Sequence, residues 1–226
     1  LIFVVSPGIA DWYAKKYKIR EPEIILNVPN IFIQKEKNCL RDAIKIKNSS
    51  KIILYQGRLA AGRGVELLLE AFRSRKDDRI VIVFMGYGPL KEKIVEAAGN
   101  NIFYHPAVPI EELLDYTSSA DFGISFIENT CLSYYYCLPN KLFEYAMSGL
   151  PVIVSNMKEM KAIVEKYAMG IVVDNETVDA LNKALGKILE LDVENLKRNA
   201  RKCAEENSWE IQELKLIDAY RKLLRQ

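Results

Sequence analysis

The chain has 226 residues, half of them apolar, with 32 basic and 30 acidic side chains for a net charge of +2. That length can bury a large core as one generous domain or one domain with extensions, and the balanced charge gives no electrostatic reason to expect nucleic acid as a partner. The four cysteines, Cys39, Cys131, Cys137 and Cys203, form no Cys-x-x-Cys pair, so neither a zinc site nor a disulfide framework is indicated and a reducing, cytoplasmic setting is the default.

Residues 1–5 read as a buried strand, far too short for a signal-peptide core, and no apolar run approaches the ~20 residues of a membrane span. Because the chain opens on Leu1 instead of Met, it is expected to be a piece of a longer protein. Ser6-Pro7-Gly8 reads as a turn into a helix over 9–17, where Ile9, Trp12, Tyr13 and Lys16 recur at helical spacing. A second short strand over 23–27 is closed by Pro29 and Asn30. Residues 34–51 are lysine-rich and read as a linker around a weak helix over 40–46, a charge run of the kind that normally faces solvent.

From Lys51 onward strand and helix alternate. Strands are predicted over 52–56, 80–85, 102–104, 122–126, 152–154 and 171–173, with helices near 65–75, 90–98, 111–118, 139–148 and 157–167 between them. This pattern predicts an α/β fold, a Rossmann-like doubly wound parallel sheet, followed by C-terminal helices over 178–190, 193–207 and 209–224. In open sheets of this kind ligands bind outside the carboxyl ends of the strands. The turns after the strands therefore carry the functional reading.

Gln56-Gly57-Arg58-Leu59-Ala60-Ala61-Gly62-Arg63-Gly64 follows the first of these strands. It is not a P-loop, because Arg63 stands in place of the lysine and Gly64 in place of the hydroxyl that would hold Mg2+. It reads either as a glycine-rich loop with two arginines, suited to a diphosphate without a metal, or as a tight turn with two solvated arginines. Met85-Gly86-Tyr87-Gly88-Pro89 lacks the third glycine of a dinucleotide fingerprint, Lys91 occupying that place, and reads as a plain turn. His105, the only histidine, sits beside Pro106 after a strand, thin support for acid-base catalysis. Residues 128–138 form a longer loop whose Tyr134, Tyr135 and Tyr136 either meet a sugar or pack the loop down.

The helix over 139–148 has Pro139 at its first position and is ended by Gly149 and Pro151. Leu142, Phe143, Ala146 and Met147 make a core stripe, while Asn140, Lys141, Glu144 and Ser148 form a polar edge. Free amides at the helix tip suit an anion, and Glu144 one turn further in suits paired hydroxyls. Phosphate at the tip and a diol one turn along describe a nucleotide.

With Gly57-Arg58, Arg63-Gly64, Gly86-x-Gly88-Pro89 and the 138–154 stretch in order, the chain resembles the C-terminal, donor-binding domain of family 4 retaining glycosyltransferases of the GT-B fold, over roughly residues 24–220. Its most specific element, Pro139-Asn140-Lys141-Leu142-Phe143-Glu144-Tyr145 with Gly149-Leu150-Pro151-Val152 behind it, resembles the subgroup of bacterial surface-polysaccharide synthesis. The resemblance implies that residues 1–30 are a remnant of the N-terminal acceptor domain and hinge. Residues 31–207 would be the nucleotide-sugar-binding domain, and 208–226 a terminal helix crossing back.

The resemblance also implies roles. Arg58 and Arg63 would bind the donor diphosphate and Glu144 the ribose, these three being the expected catalytic residues, with Gly57, Asn140, Lys141, Leu142, Tyr136 and Pro106 in donor binding and amides near 140–142 capping a phosphate. The family's second Glu, eight positions before Glu144, is Tyr136 here. Neither metal nor cofactor is expected. The substrate would be a nucleoside diphosphate sugar, and the acceptor a glycan or lipid-linked sugar held through the missing N-terminal domain. The full-length protein would be cytoplasmic and peripheral at the inner face of the membrane, and the isolated chain would bind nucleotide while transferring little sugar. The alternatives are a nucleotide-sugar epimerase of similar architecture and a non-catalytic nucleotide-sugar-binding subunit.

Overall fold

The segments Ile52-Ile53-Leu54-Tyr55 and Ile80-Val81-Ile82-Val83-Phe84-Met85 are apolar at every position, so both of their faces must be covered. The computed structural model describes residues 1–33, 38–47, 49–75 and 79–225. It opens with β1 (Phe3–Val4), α1 (Pro7–Tyr17), β2 (Glu23–Ile24) and α2 (Cys39–Ile44). The alternating region holds β3 (Lys51–Arg58), α3 (Val65–Ser74), β4 (Ile80–Tyr87), α4 (Lys91–Ala97), β5 (Ile102–Pro106), α5 (Leu113–Thr117) and β6 (Phe122–Ser125). It continues through α6 (Leu132–Tyr135), α7 (Asn140–Met147), β7 (Val152–Ser155), α8 (Lys158–Tyr167) and β8 (Gly170–Val173). Helices α9 (Val178–Lys187), α10 (Val193–Asn207) and α11 (Trp209–Leu224) follow.

Strands β3 to β8 form one parallel, six-stranded sheet in the order β5-β4-β3-β6-β7-β8. The chain winds outward from β3 to one edge, then returns to β6 on the other side of β3 and winds to the opposite edge. Alternate residues of each strand serve different cores. Ile52, Leu54, Val81 and Val83 join the layer of α7, α8 and α10, while Ile53, Tyr55, Ile82 and Phe84 join the layer of α3 and α9.

At the centre of the sheet, α7 lies against Gly123 of β6. A Cβ on Gly123 would come within 2.2 Å of the Tyr145 ring, so only glycine lets that ring lie flat on the strand. The buried Tyr145 hydroxyl accepts the Gln56 N–H at 2.9 Å and donates to the Ile124 carbonyl at 3.2 Å. One side chain thus joins the ends of β3 and β6.

The N-terminal segment docks on the last two helices. β1 pairs in parallel with β2, Phe3 opposite Glu23. The Leu26 N–H donates to the buried Gln212 Oε1 at 3.1 Å, the Trp209 N–H to the Pro29 carbonyl at 3.0 Å, and Arg201 to the Phe32 and Met147 carbonyls at 2.7 and 3.0 Å.

Several expectations change in detail. Ser6-Pro7-Gly8 is not a turn ahead of the helix; Ser6 is the N-cap of α1, its Oγ accepting from the Ile9 N–H, and Pro7 opens the helix. Pro139 is likewise the N-cap of α7 rather than its first residue, with extended φ −74° and ψ 143°. The tyrosine loop contains a short helix, α6, which its aromatic composition hid. Strands β3 and β4 run on through Gly57-Arg58 and Gly86-Tyr87, which pair in register. The linker predicted over 34–51 lies partly outside the described residues, and within the rest α2 seats its fully buried Leu40 beneath Ser119.

Tyr145→Phe leaves the Gln56 N–H and Ile124 carbonyl unpaired in a buried position, so it is expected to cost about 1–3 kcal/mol without changing the fold. Urea denaturation checks this as a lowered midpoint at constant slope; an unmoved midpoint would mean that the bridge between the strands adds nothing.

Candidate functional site

Because β3 and β6 are neighbours whose connections leave toward opposite edges, the loops beyond their carboxyl ends part and leave a crevice. A cleft of about 490 Å3 opens there, lined by the ends of β3 and β4, by Ala107 and Val108 beyond β5, and by Pro139, Asn140, Lys141 and Glu144. Gly57, Arg58, Arg63, Asn140, Lys141 and Glu144, singled out from sequence, share this one lining.

The glycine-rich loop takes its shape from close backbone approaches. A Cβ on Gly86 would lie 1.9 Å from the Gly57 carbonyl oxygen, so only glycine fits there, and Gly57 itself has φ +111°, a conformation that favours glycine. Gly64, with φ +72°, is the N-cap of α3, where a Cβ would lie 2.3 Å from the Phe126 carbonyl. Glu128 braces the loop from the far side, its carboxylate accepting the Gly64 N–H at 3.2 Å and its own N–H donating to the Gly62 carbonyl at 3.1 Å. Arg63 is set over the Tyr134 ring, 5.2 Å from guanidinium carbon to centroid. Arg58 is exposed at the mouth. Among the described residues neither arginine forms an ion pair, so both cations are available to an anion.

Across the cleft, α7 presents an N-terminus that no side chain caps. Lys141 is 9 % exposed, its Nζ lying 3.8 Å from the centroid of the Tyr55 ring. Burial, reinforced by the nearby Arg63 charge, pulls its pKa down to about 7, with Glu144 and Cys137 opposing. Glu144 is half-buried, and burial raises its carboxyl above the ordinary value, opposed by a hydrogen bond from Gln56 and by the Lys141 charge. The site therefore sets two exposed or half-buried arginines, one lysine poised between charge states, and one carboxylate around a single void. That arrangement suits a polyanion with a hydroxyl-bearing neighbour.

Other predicted residues lie elsewhere. Leu142 is fully buried in the core and its N–H is already given to the Pro139 carbonyl at 3.0 Å, so the free amides are those ahead of it. Tyr136 is outside the lining: its ring lies against Gly8 and 5.2 Å from Lys158 Nζ, and its carbonyl accepts from Ser6 Oγ at 2.7 Å. Pro106 ends β5 opposite Gly86, just ahead of the lining residues. The His105 ring lies tilted against Tyr116, centroids 5.1 Å apart, and does not line the cleft. Ser148, expected on the polar edge, is buried beneath the Leu114 carbonyl.

Sequence reasoning missed Tyr55, Gln56 and Glu128. Gln56 had a signal, being the one polar residue to end an otherwise apolar strand run. Tyr55 and Glu128 had none, since an aromatic in a strand and an acid in a loop are ordinary.

A family model described as glycosyl transferases group 1 matches residues 36–206. No curated protein matches the chain in sequence. Among solved structures, the chain is similar to sucrose-phosphate synthase from Thermosynechococcus elongatus, with TM-score 0.80 and 22 % identity over 99 % of this chain and 58 % of that one. A glycosyltransferase from Rickettsia africae gives TM-score 0.76 and 19 % identity over 99 % and 63 %. Anabaena HepE, solved in complex with UDP-glucose, gives 0.78 and 13 % over 97 % and 63 %. These likenesses show a shared fold, and the chain spans about three-fifths of the length of each of these structures.

The lysine gives the cleft a pH signature. Its charge is lost as pH rises through about 7, so the advantage of wild type over Lys141→Met in binding inorganic diphosphate, titrated calorimetrically, is expected to be smaller at about pH 8 than at about pH 6. In the free chain, the folded state binds fewer protons than the unfolded one between about 7 and the ordinary lysine value of 10.5. Stability relative to Lys141→Met should therefore rise across that window. Parallel pH profiles for the two proteins would contradict the assignment.

Proposed function

Since the chain belongs to the group 1 glycosyl transferases, we propose that it is the donor-binding part of an enzyme that moves a sugar from a nucleoside diphosphate to a glycan or lipid-linked acceptor, with retained anomeric configuration and in surface-polysaccharide synthesis. The observation that carries this reading is one cleft in which Arg58, Arg63, Lys141 and the uncapped end of α7 face a void that Glu144 also lines. The diphosphate lies among the cations, and the ribose hydroxyls donate to the Glu144 carboxylate one turn along the helix. The UDP-glucose complex of the similarly folded HepE supports a donor of this class.

In the reaction the bond from the anomeric carbon to the diphosphate breaks and its electron pair stays on the diphosphate oxygen. Arg58, Arg63 and the amides that open α7 stabilise that developing charge without reorganising, an effect worth about 10²–10³ in rate per well-placed donor. Arginine at position 63 presents a planar fork to the phosphates where a lysine would present a point charge. No metal or cofactor is assigned a part. The acceptor is assigned to a further domain, with residues 1–30 as its remnant and hinge and 208–226 as the helix that returns to it. The epimerase alternative gains no support from His105, which lies outside the lining.

Calorimetric titration with UDP, GDP, ADP and dTDP in EDTA is expected to reveal one preferred nucleotide, with Glu144→Ala and Arg63→Ala each weakening it about tenfold or more. Failure of all four to bind would sink the donor reading. Robust sugar transfer by the chain alone would overturn the assignment of the acceptor site to another domain.

A further inference from the structure

Gln56 is 2 % exposed and follows the apolar run Ile52-Ile53-Leu54-Tyr55 in β3, so its polar side chain needs a reason. Every polar group on its side chain is matched. The side-chain amide donates to Glu144 Oε2, and Gln56 Oε1 accepts from the buried Thr117 hydroxyl at 2.8 Å. The backbone N–H is taken by Tyr145 Oη. Thr117 Oγ1 also lies 2.7 Å from the Leu113 carbonyl, one turn back on α5. The amide's orientation follows from its surroundings: only the NH2 end meets the carboxylate favourably, which leaves the oxygen for the hydroxyl.

We propose that Gln56 is a positioning residue, held by Thr117, that engages one oxygen of Glu144 and leaves the other free to accept ligand hydroxyls in the cleft. The inference rests on the reading of Glu144 as the ribose-binding carboxylate. A carboxyl placed in this half-buried position tends toward its neutral form, and a neutral acid would offer a proton where two hydroxyls need acceptors. A donated N–H at fixed distance counters that tendency and removes the carboxyl's rotational freedom. The neighbouring bond from the Gln56 N–H to Tyr145 holds strand and helix at the same level, so the amide meets Glu144 without a search. The chain of groups Thr117, Gln56 and Glu144 runs from α5 through β3 to α7, three elements that each contribute residues to the lining of the cleft.

The test uses Gln56→Leu, which keeps the volume and removes the donor, and the milder Thr117→Val, which loosens the amide while sparing the strand. The Glu144 carboxyl carbon is followed by NMR in glutamate-labelled protein, its signal assigned with Glu144→Gln. Its titration midpoint is expected to move up by about one unit in Gln56→Leu and by less in Thr117→Val. UDP is expected to bind Gln56→Leu about tenfold more weakly, with the loss steepening toward acid pH, while inorganic diphosphate binds as to wild type. An unchanged carboxyl titration in both variants overturns the proposal, as does an equal loss of UDP and inorganic diphosphate, which would mark a collapsed cleft. The carboxyl titration decides the positioning role whether or not nucleotide binds. Undiminished UDP binding by Glu144→Gln instead removes the ribose reading and the binding half of the proposal with it.

Discussion

The Tyr145 hydroxyl, buried between the Gln56 N–H and the Ile124 carbonyl, holds together the two strands from which the sheet winds in opposite directions. Parallel strands part at such a point because their connections diverge, and their terminal backbone groups would lie unpaired without a partner from elsewhere. α7 supplies that partner. With its ring flat on Gly123, the helix cannot shift without leaving a buried donor and acceptor unsatisfied. Its uncapped N-terminus and Glu144 consequently stand at a set distance from the glycine-rich loop that follows β3.

The cleft that results is electrostatically incomplete on its own. Its arginines lack carboxylate partners among the described residues, its lysine is stripped of water above Tyr55, and its carboxylate is drawn toward protonation. Aromatic faces under two of the cations offset part of the cost, since a ring can attract a cation without neutralising it as a carboxylate would. An incoming polyanion meets charge already in place, and burial makes each contact stronger than the same contact in water. Perturbed titratable groups gathered in a cleft are the usual mark of a functional site, and here each perturbation has a named physical cause.

A second constraint works at the other end of the chain. Residues 23–33 have little regular structure, yet their backbone groups are bound by Gln212, Trp209 and Arg201 from α10 and α11. Arg201 also holds the Met147 carbonyl at the end of α7, so the segment and the site helix share one anchor. A cavity of about 390 Å3 lies between residues 27–32 and Leu113, Leu114, Asn140 and Glu144. The N-terminal segment thus forms the far wall of the space behind the cleft.

The amino-acid sequence by itself determined the alternation of strands and helices, the two-faced burial of the sheet, and the placing of the glycine loop and the 139–148 helix at the carboxyl ends of strands. These are local matters, since periodicity, glycine and proline act within a few residues of themselves. Arg58, Arg63, Lys141 and Glu144 were legible for the same reason, each standing in a motif of fixed spacing. Only the tertiary structure decided which of the nearby residues reach the cleft: it turned Tyr136 against Gly8, and brought Thr117 onto Gln56, 61 positions away, and Gln56 onto Glu144. Side-chain direction and pairing between remote segments depend on the packing of whole elements, which short-range pattern does not encode. Neither does it encode charge state, because the lysine and the carboxylate are ordinary groups until the fold removes their water and chooses their neighbours.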